Sequence, residues 1–176
     1  MIFAQRRARR ASKVIIEQLR GEIVAAARRP ALYEALAAPD RLDGRFELLT
    51  LHAGLVLRRL VAIGGLADHV AQDLVNSLFL HFDDTLREMA LSDIAVSKRL
   101  KTMREAFYGR NAAYAAALDS GSRADLAAAL ARNVYGGGHD GAALASYVAA
   151  LDTALAATPI EDFITGQFRY PEAQIA

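Results

Sequence analysis

Apolar positions recur at spacings of three and four along most of the chain, and that period predicts helices. Val14, Ile15, Ile16, Leu19, Ile23 and Val24 mark an amphipathic helix that continues to about Arg28, where Pro30 stops it. A short helix is predicted over Leu32–Ala37, broken by Pro39. Asp43 or Gly44 opens the next, with Phe46, Leu49, Ala53, Leu57 and Leu60 as its apolar face and Gly64-Gly65 at its end. Leu66 to about Met89 carries two adjacent stripes, Val70-Leu74-Leu78-Phe82-Leu86 and Ala71-Val75-Phe79, so this helix is placed at the centre of a bundle. Leu91-Ser92-Asp93 supplies a turn and an N-cap. Val96, Leu100, Met103, Phe107, Tyr114 and Leu118 then fall within about 40° of one line at 100° per residue. Ser122 with Asp125 starts a helix over Leu126–Tyr135, Gly136-Gly137-Gly138 breaks it, and Ala142–Ala157 forms another. Thr158-Pro159-Ile160-Glu161 predicts a capped short helix with proline at its first position, and from Phe168 the tail is expected to be loosely ordered.

Composition supports this pattern. Of 176 residues, 37 are alanine and 23 leucine, and no proline occurs between Asp40 and Thr158. Such a stretch favours helices over sheet. The expected fold is therefore all-α, a single-domain bundle of about six to eight helices. Its parts are a basic amphipathic helix over 1–30, a helical domain over 31–167 and a tail over 168–176. The longest unbroken apolar run, Leu60–Ala67, spans eight residues and includes two glycines. A membrane-spanning helix needs roughly 18 or more, which excludes an integral membrane protein. Zero cysteines exclude disulfides, a thiol nucleophile and cysteine-based metal sites.

Charge changes the picture at the N-terminus. Net charge is +1, yet residues 1–30 carry +6 and residues 31–176 carry −5. Arg6, Arg7, Arg9, Arg10 and Lys13 precede any acid. An Arg-rich, acid-free start suits an organelle transit peptide, a basic arm for anionic lipid or RNA phosphate, or a solvated helix start that binds nothing. No apolar run follows the arginines, which argues against a secretory signal.

No catalytic pattern emerges. The histidines, His52, His69, His81 and His139, show no metal-binding spacing, and haem ligation by His52 stays open without a motif behind it. The triple glycine lacks the lysine-serine/threonine ending of a phosphate loop, and Asp83 and Asp84 point about 100° apart. The chain reads as a non-enzyme with no metal, cofactor or small-molecule substrate.

Leu78 to Leu118 is more informative. It runs from acidic (Asp83, Asp84, Glu88, Asp93) to basic (Lys98, Arg99, Lys101, Arg104), and two helices joined by a short turn should pack antiparallel. Asp84 or Glu88 would then face Lys98, Arg99 or Lys101. Arg99 and Arg110 fall about 60° and 40° off the apolar line, flanking the core, where they need partners in the fold or in another chain. Tyr108 lies about 120° away from that line and is expected at the surface.

Three blocks resemble the ubiquinol–cytochrome c chaperone family. They are Asp43-Gly-Arg-Phe-Glu-Leu-Leu-Thr-Leu-His52 running on to Arg58-Arg59, Leu86-Arg-Glu-Met89 through Asp93-Ile-Ala-Val-Ser-Lys-Arg99, and Phe107-Tyr-Gly-Arg-Asn-Ala-Ala-Tyr114. Ala129-Leu-Ala-Arg-Asn-Val-Tyr135 is a weaker fourth. The family pattern has glycine where this chain has Ala90 and Ser97. The resemblance implies an all-α assembly factor that binds newly made cytochrome b for haem insertion and for building the cytochrome bc1 complex. Its mitochondrial members work with a small partner protein near the ribosomal exit.

The chain's size suggests a bacterial member, in the cytoplasm or peripheral on the inner face of the inner membrane. Arg99, Lys101, Tyr108 and Arg110, with Asp43 and Arg45 as a second group, are the candidate client contacts. Asp84, Glu88 and Phe107 are assigned to the scaffold. Arg6, Arg7, Arg9, Arg10 and Lys13 are candidates for contact with an anionic membrane surface or with RNA. A nucleic-acid-binding module and a structural subunit of a helical oligomer are the competing classes.

Overall fold

The computed structural model describes the backbone of residues 2–174 and the side chains of residues 12–174. Among them are eight helices and no strand, as the periodicity requires: α1 Ile2–Ala27, α2 Pro30–Glu34, α3 Leu42–Ile63, α4 Leu66–Glu88, α5 Asp93–Asp119, α6 Arg123–Asn133, α7 Ala142–Ala156 and α8 Ile160–Thr165. The chain divides into two compact units. The first comprises Met1–Glu22, Leu60–Ala106 and Pro159–Arg169, and the second comprises Ile23–Arg59, Phe107–Thr158 and Tyr170–Ala176.

In the first unit, α4 buries Ala71, Leu74, Val75, Leu78, Phe79, Phe82 and Leu86, both expected stripes apart from Val70, together with Ala67. α8 packs against it, with Phe163 fully buried and stacked on Phe168 at 4.8 Å between ring centroids. Gly64 and Gly65 both take positive φ, 71° and 63°, which lets the chain reverse between α3 and α4 without a β-carbon clash.

In the second unit, α6 packs on α7. Ser122 caps α6 by accepting from the Asp125 amide at 3.2 Å, as its spacing from Asp125 anticipates. Gly141 precedes α7 with φ of 71°, where a β-carbon would collide with the α6 backbone at Ala127 and Ala131.

Three expectations are corrected. α3 does not bury one face only: every residue from Glu47 to Ala53 is buried, because its neighbours enclose it on all sides. Thr158 does not cap α8. Its hydroxyl turns back to the Ala154 carbonyl at 3.3 Å, and Pro159 takes the N-cap position without a side-chain bond. Residues 168–174 have no regular secondary structure, yet Phe168 and Tyr170 are buried. Tyr170 donates to the His52 carbonyl at 3.1 Å, and Arg29 donates to the Tyr170 and Pro171 carbonyls. Two aromatic anchors, absent from a pattern read as loose, hold that segment in place.

Candidate functional site

Two of the sequence blocks meet in the second unit. Glu47 of α3, only 6% exposed, lies with Oε2 2.5 Å from Nε of Arg110 on α5. Burial outweighs the arginine and pushes the Glu47 carboxyl up to about 7. Gly54 lies two helical turns further along α3. A methyl group there would overlap the side-chain oxygen of Asn111, so the glycine lets α5 approach closely. The Tyr114 ring is buried beside them, and its hydroxyl is pushed up to about 12 by desolvation. The blocks around Asp43–His52 and Phe107–Tyr114 are therefore partners.

His52 is fully buried. Its Nδ1 lies 2.8 Å from the Leu48 carbonyl, which can only accept, so Nδ1 carries the proton. Nε2 then accepts from the Tyr147 hydroxyl at 3.0 Å. Burial pushes the imidazole down to about 4. Both ring nitrogens are occupied, so the haem-ligand option for His52 does not fit its surroundings. Among the described residues, no group of three or more His, Cys, Asp or Glu side chains is placed to hold a metal.

Arg58 and Arg59, at the end of the first block, are clamps. Arg58 bridges Asp119 at 2.7 Å and Asp152 at 3.0 Å. Arg59 donates to the Thr158 carbonyl at 2.9 Å. These contacts tie α3 to the end of α5 and to α7.

The second block forms the α4–α5 turn in the first unit. Arg87 bridges Asp83 at 2.7 Å and Asp93 at 2.6 Å, a pairing the charge pattern did not single out. Ala90 holds φ of 57°, the left-handed conformation that suits the glycine of the family pattern. Ser92 accepts from the Ala95 amide at 3.3 Å and caps α5. Arg104 lies over the Phe79 ring at 4.1 Å.

The candidate contact residues divide between the units. Arg99 and Lys101 are exposed on α5 in the first. Asp43, Arg45 and Tyr108 are exposed in the second, Tyr108 at 51%. Arg45 donates to Asp40 at 2.7 Å. Arg110 is engaged by Glu47, with a quarter of its side chain exposed. Lys13 is exposed, and the side chains of Arg6, Arg7, Arg9 and Arg10 lie outside the described residues. Sequence reasoning missed Glu47, Gly54 and Asn111 as a group. The available signal was one acid inside a run of apolar residues on α3 and one arginine close to the apolar line of α5.

A family model described as Ubiquinol-cytochrome C chaperone matches residues 34–170. The chain belongs to the ubiquinol–cytochrome c chaperone family. The matched span takes in all the sequence blocks, the Glu47–Arg110 contact and the buried Tyr170, and it leaves out the basic start. No match was found among curated proteins. Among solved structures, the Cbp3 homolog from Brucella abortus is 34% identical, with 98% of this chain and 97% of that chain covered and a TM-score of 0.86. This chaperone-family chain thus shares that protein's fold along nearly its whole length. Among the described residues, no helix is long and apolar enough to cross a membrane.

Proposed function

We propose that this chain is a non-enzymatic assembly factor that binds newly made cytochrome b during biogenesis of the cytochrome bc1 complex. The observation that carries this reading is the family match over residues 34–170, which takes in the packed pair of blocks on α3 and α5. Client contact falls to exposed residues: Asp43, Arg45 and Tyr108 in one unit, Arg99 and Lys101 in the other. Arg110, facing Glu47, positions α5 and adds its exposed edge to the contact. The test is removal of the protein from cells that build this complex, followed by complementation. Assembled ubiquinol–cytochrome c reductase should fall and return with the intact chain. Normal levels without the protein would overturn the reading.

The charge of +6 over residues 1–30 favours a second element, peripheral attachment to the inner face of the inner membrane or to ribosomal RNA. Near an anionic surface each basic residue contributes on the order of 1 kcal/mol. Flotation with anionic vesicles should be lost when residues 1–13 are removed. Equal flotation of both chains would remove the membrane from the account, and salt-sensitive RNA binding would move the arm to the ribosome.

A further inference from the structure

Seven of the nine large apolar side chains exposed among the described residues belong to the first unit: Val14, Val61, Leu66, Leu80, Met89, Leu91 and Ile94. In the same unit an open groove of about 230 Å³ is lined by Ile15 and Ile16 of α1, Leu66 and Val70 of α4, and Ile164 of α8. Leu66 is 69% exposed although it lines the groove. Ser12, His69 and Asp73 complete the lining. Glu161 stands exposed one helical turn before Ile164. The lining is thus mostly apolar, and among the described residues Asp73 is its one acidic side chain.

We propose that this groove takes an apolar helix of the client that bears lysine or arginine near its end. Five aliphatic side chains on three helices form the kind of surface into which the apolar face of a helix docks. Helices destined for a bilayer carry Lys and Arg at their cytoplasmic ends, and the acidic side chain of Asp73 in the lining, with Glu161 exposed one turn before Ile164 on α8, is complementary to such a flank. The proposal rests on the client-binding reading above and assigns it a place.

The probes are two labelled peptides, a Leu/Ala-rich helix with lysine ends and the same helix with glutamate ends, titrated against the full chain. The lysine peptide should bind at least tenfold more tightly. Leu66→Asp should weaken both peptides fivefold or more, and Asp73→Lys should abolish the preference for lysine. Circular dichroism checks that each variant keeps its helices, and Leu66→Gln serves if Leu66→Asp does not fold. Equal binding by the intact chain and the Leu66 variant overturns the proposal. So does a Leu66-dependent loss of binding to neutral vesicles with no effect on peptides, which would make the groove a lipid site. If cytochrome b is recovered equally by the intact chain and by the Leu66→Asp and Asp73→Lys variants, the groove fails and the client reading stands. If the lysine peptide binds but cytochrome b is never recovered, the client reading fails instead.

Discussion

Arg110 of α5 meets Glu47 of α3 at 2.5 Å, in a position where the carboxylate is almost wholly shielded from water. This contact joins two sequence blocks through residues 63 positions apart, and it gives Arg110 a structural role beside any client contact. Arg110→Ala would leave Glu47 buried beside no cation. The expected cost is about 2 kcal/mol above pH 7, below the range for a fully buried pair because a quarter of the arginine is exposed. The cost should shrink near pH 5, where Glu47 takes a proton. Denaturant unfolding of the variant at the two pH values checks this.

Glu47 and His52 give the fold opposing pH responses. With its carboxyl at about 7, folded Glu47 holds a proton between pH 4.5 and 7 that the unfolded chain has released, so stability falls as pH rises through that window. With its imidazole at about 4, folded His52 refuses a proton that the unfolded chain holds between pH 4 and 6.5, so stability rises with pH there. Each slope approaches about 1.4 kcal/mol per pH unit, and between pH 4.5 and 6.5 the two nearly cancel. Glu47→Gln should uncover the His52 slope, with Tm climbing from pH 4.5 to 6.5 while the intact chain stays nearly level. A variant as level as the parent would show that burial does not shift these groups as described.

Gly54 and Asn111 should behave as a coupled pair. Gly54→Ala forces a methyl group into the Asn111 side chain and is expected to cost about 1–3 kcal/mol. In an Asn111→Ala background the same change should be neutral, or stabilising by up to about 1 kcal/mol from helix propensity. A double-mutant cycle read by chemical unfolding measures the coupling.

Ala90 sits at φ of 57° after the end of α4, a conformation that costs an L-residue about 1–2 kcal/mol. Ala90→Gly should therefore stabilise the chain by about 1 kcal/mol and raise Tm by about 2–4 °C. Thermal melts of the two chains decide it, and a lower Tm for the variant would contradict the turn geometry.

Tyr108 stands half exposed with its ring edge-on to the buried Phe107 at 5.5 Å. Tyr108→Ala should change stability by no more than about 0.5 kcal/mol while weakening recovery of cytochrome b severalfold. A large loss of stability would reassign the tyrosine to the scaffold.

The helices were legible because their signals are local: the spacing of apolar side chains, the Ser122 cap, the Gly64-Gly65 reversal and the stop of α1 ahead of Pro30. Tyr108 was legible as exposed because its angle from the apolar line of α5 decides the matter. What escaped is set by contacts distant in sequence. Nothing near Glu47 shows that its partner lies on α5, and nothing near Gly54 shows that Asn111 presses against it. The anchoring of the tail depends on Tyr170 reaching the His52 carbonyl, 118 residues away. The Arg87 bridge to Asp93 depends on how the turn between α4 and α5 is folded, which no local spacing fixes.

The most direct test of the central claim is crosslinked affinity capture of the full chain from cells assembling the cytochrome bc1 complex, read by mass spectrometry. The account predicts recovery of cytochrome b, diminished by Tyr108→Ala with helical content and Tm unchanged. Recovery of ribosomal proteins or of the chain alone, with no cytochrome b, would contradict it.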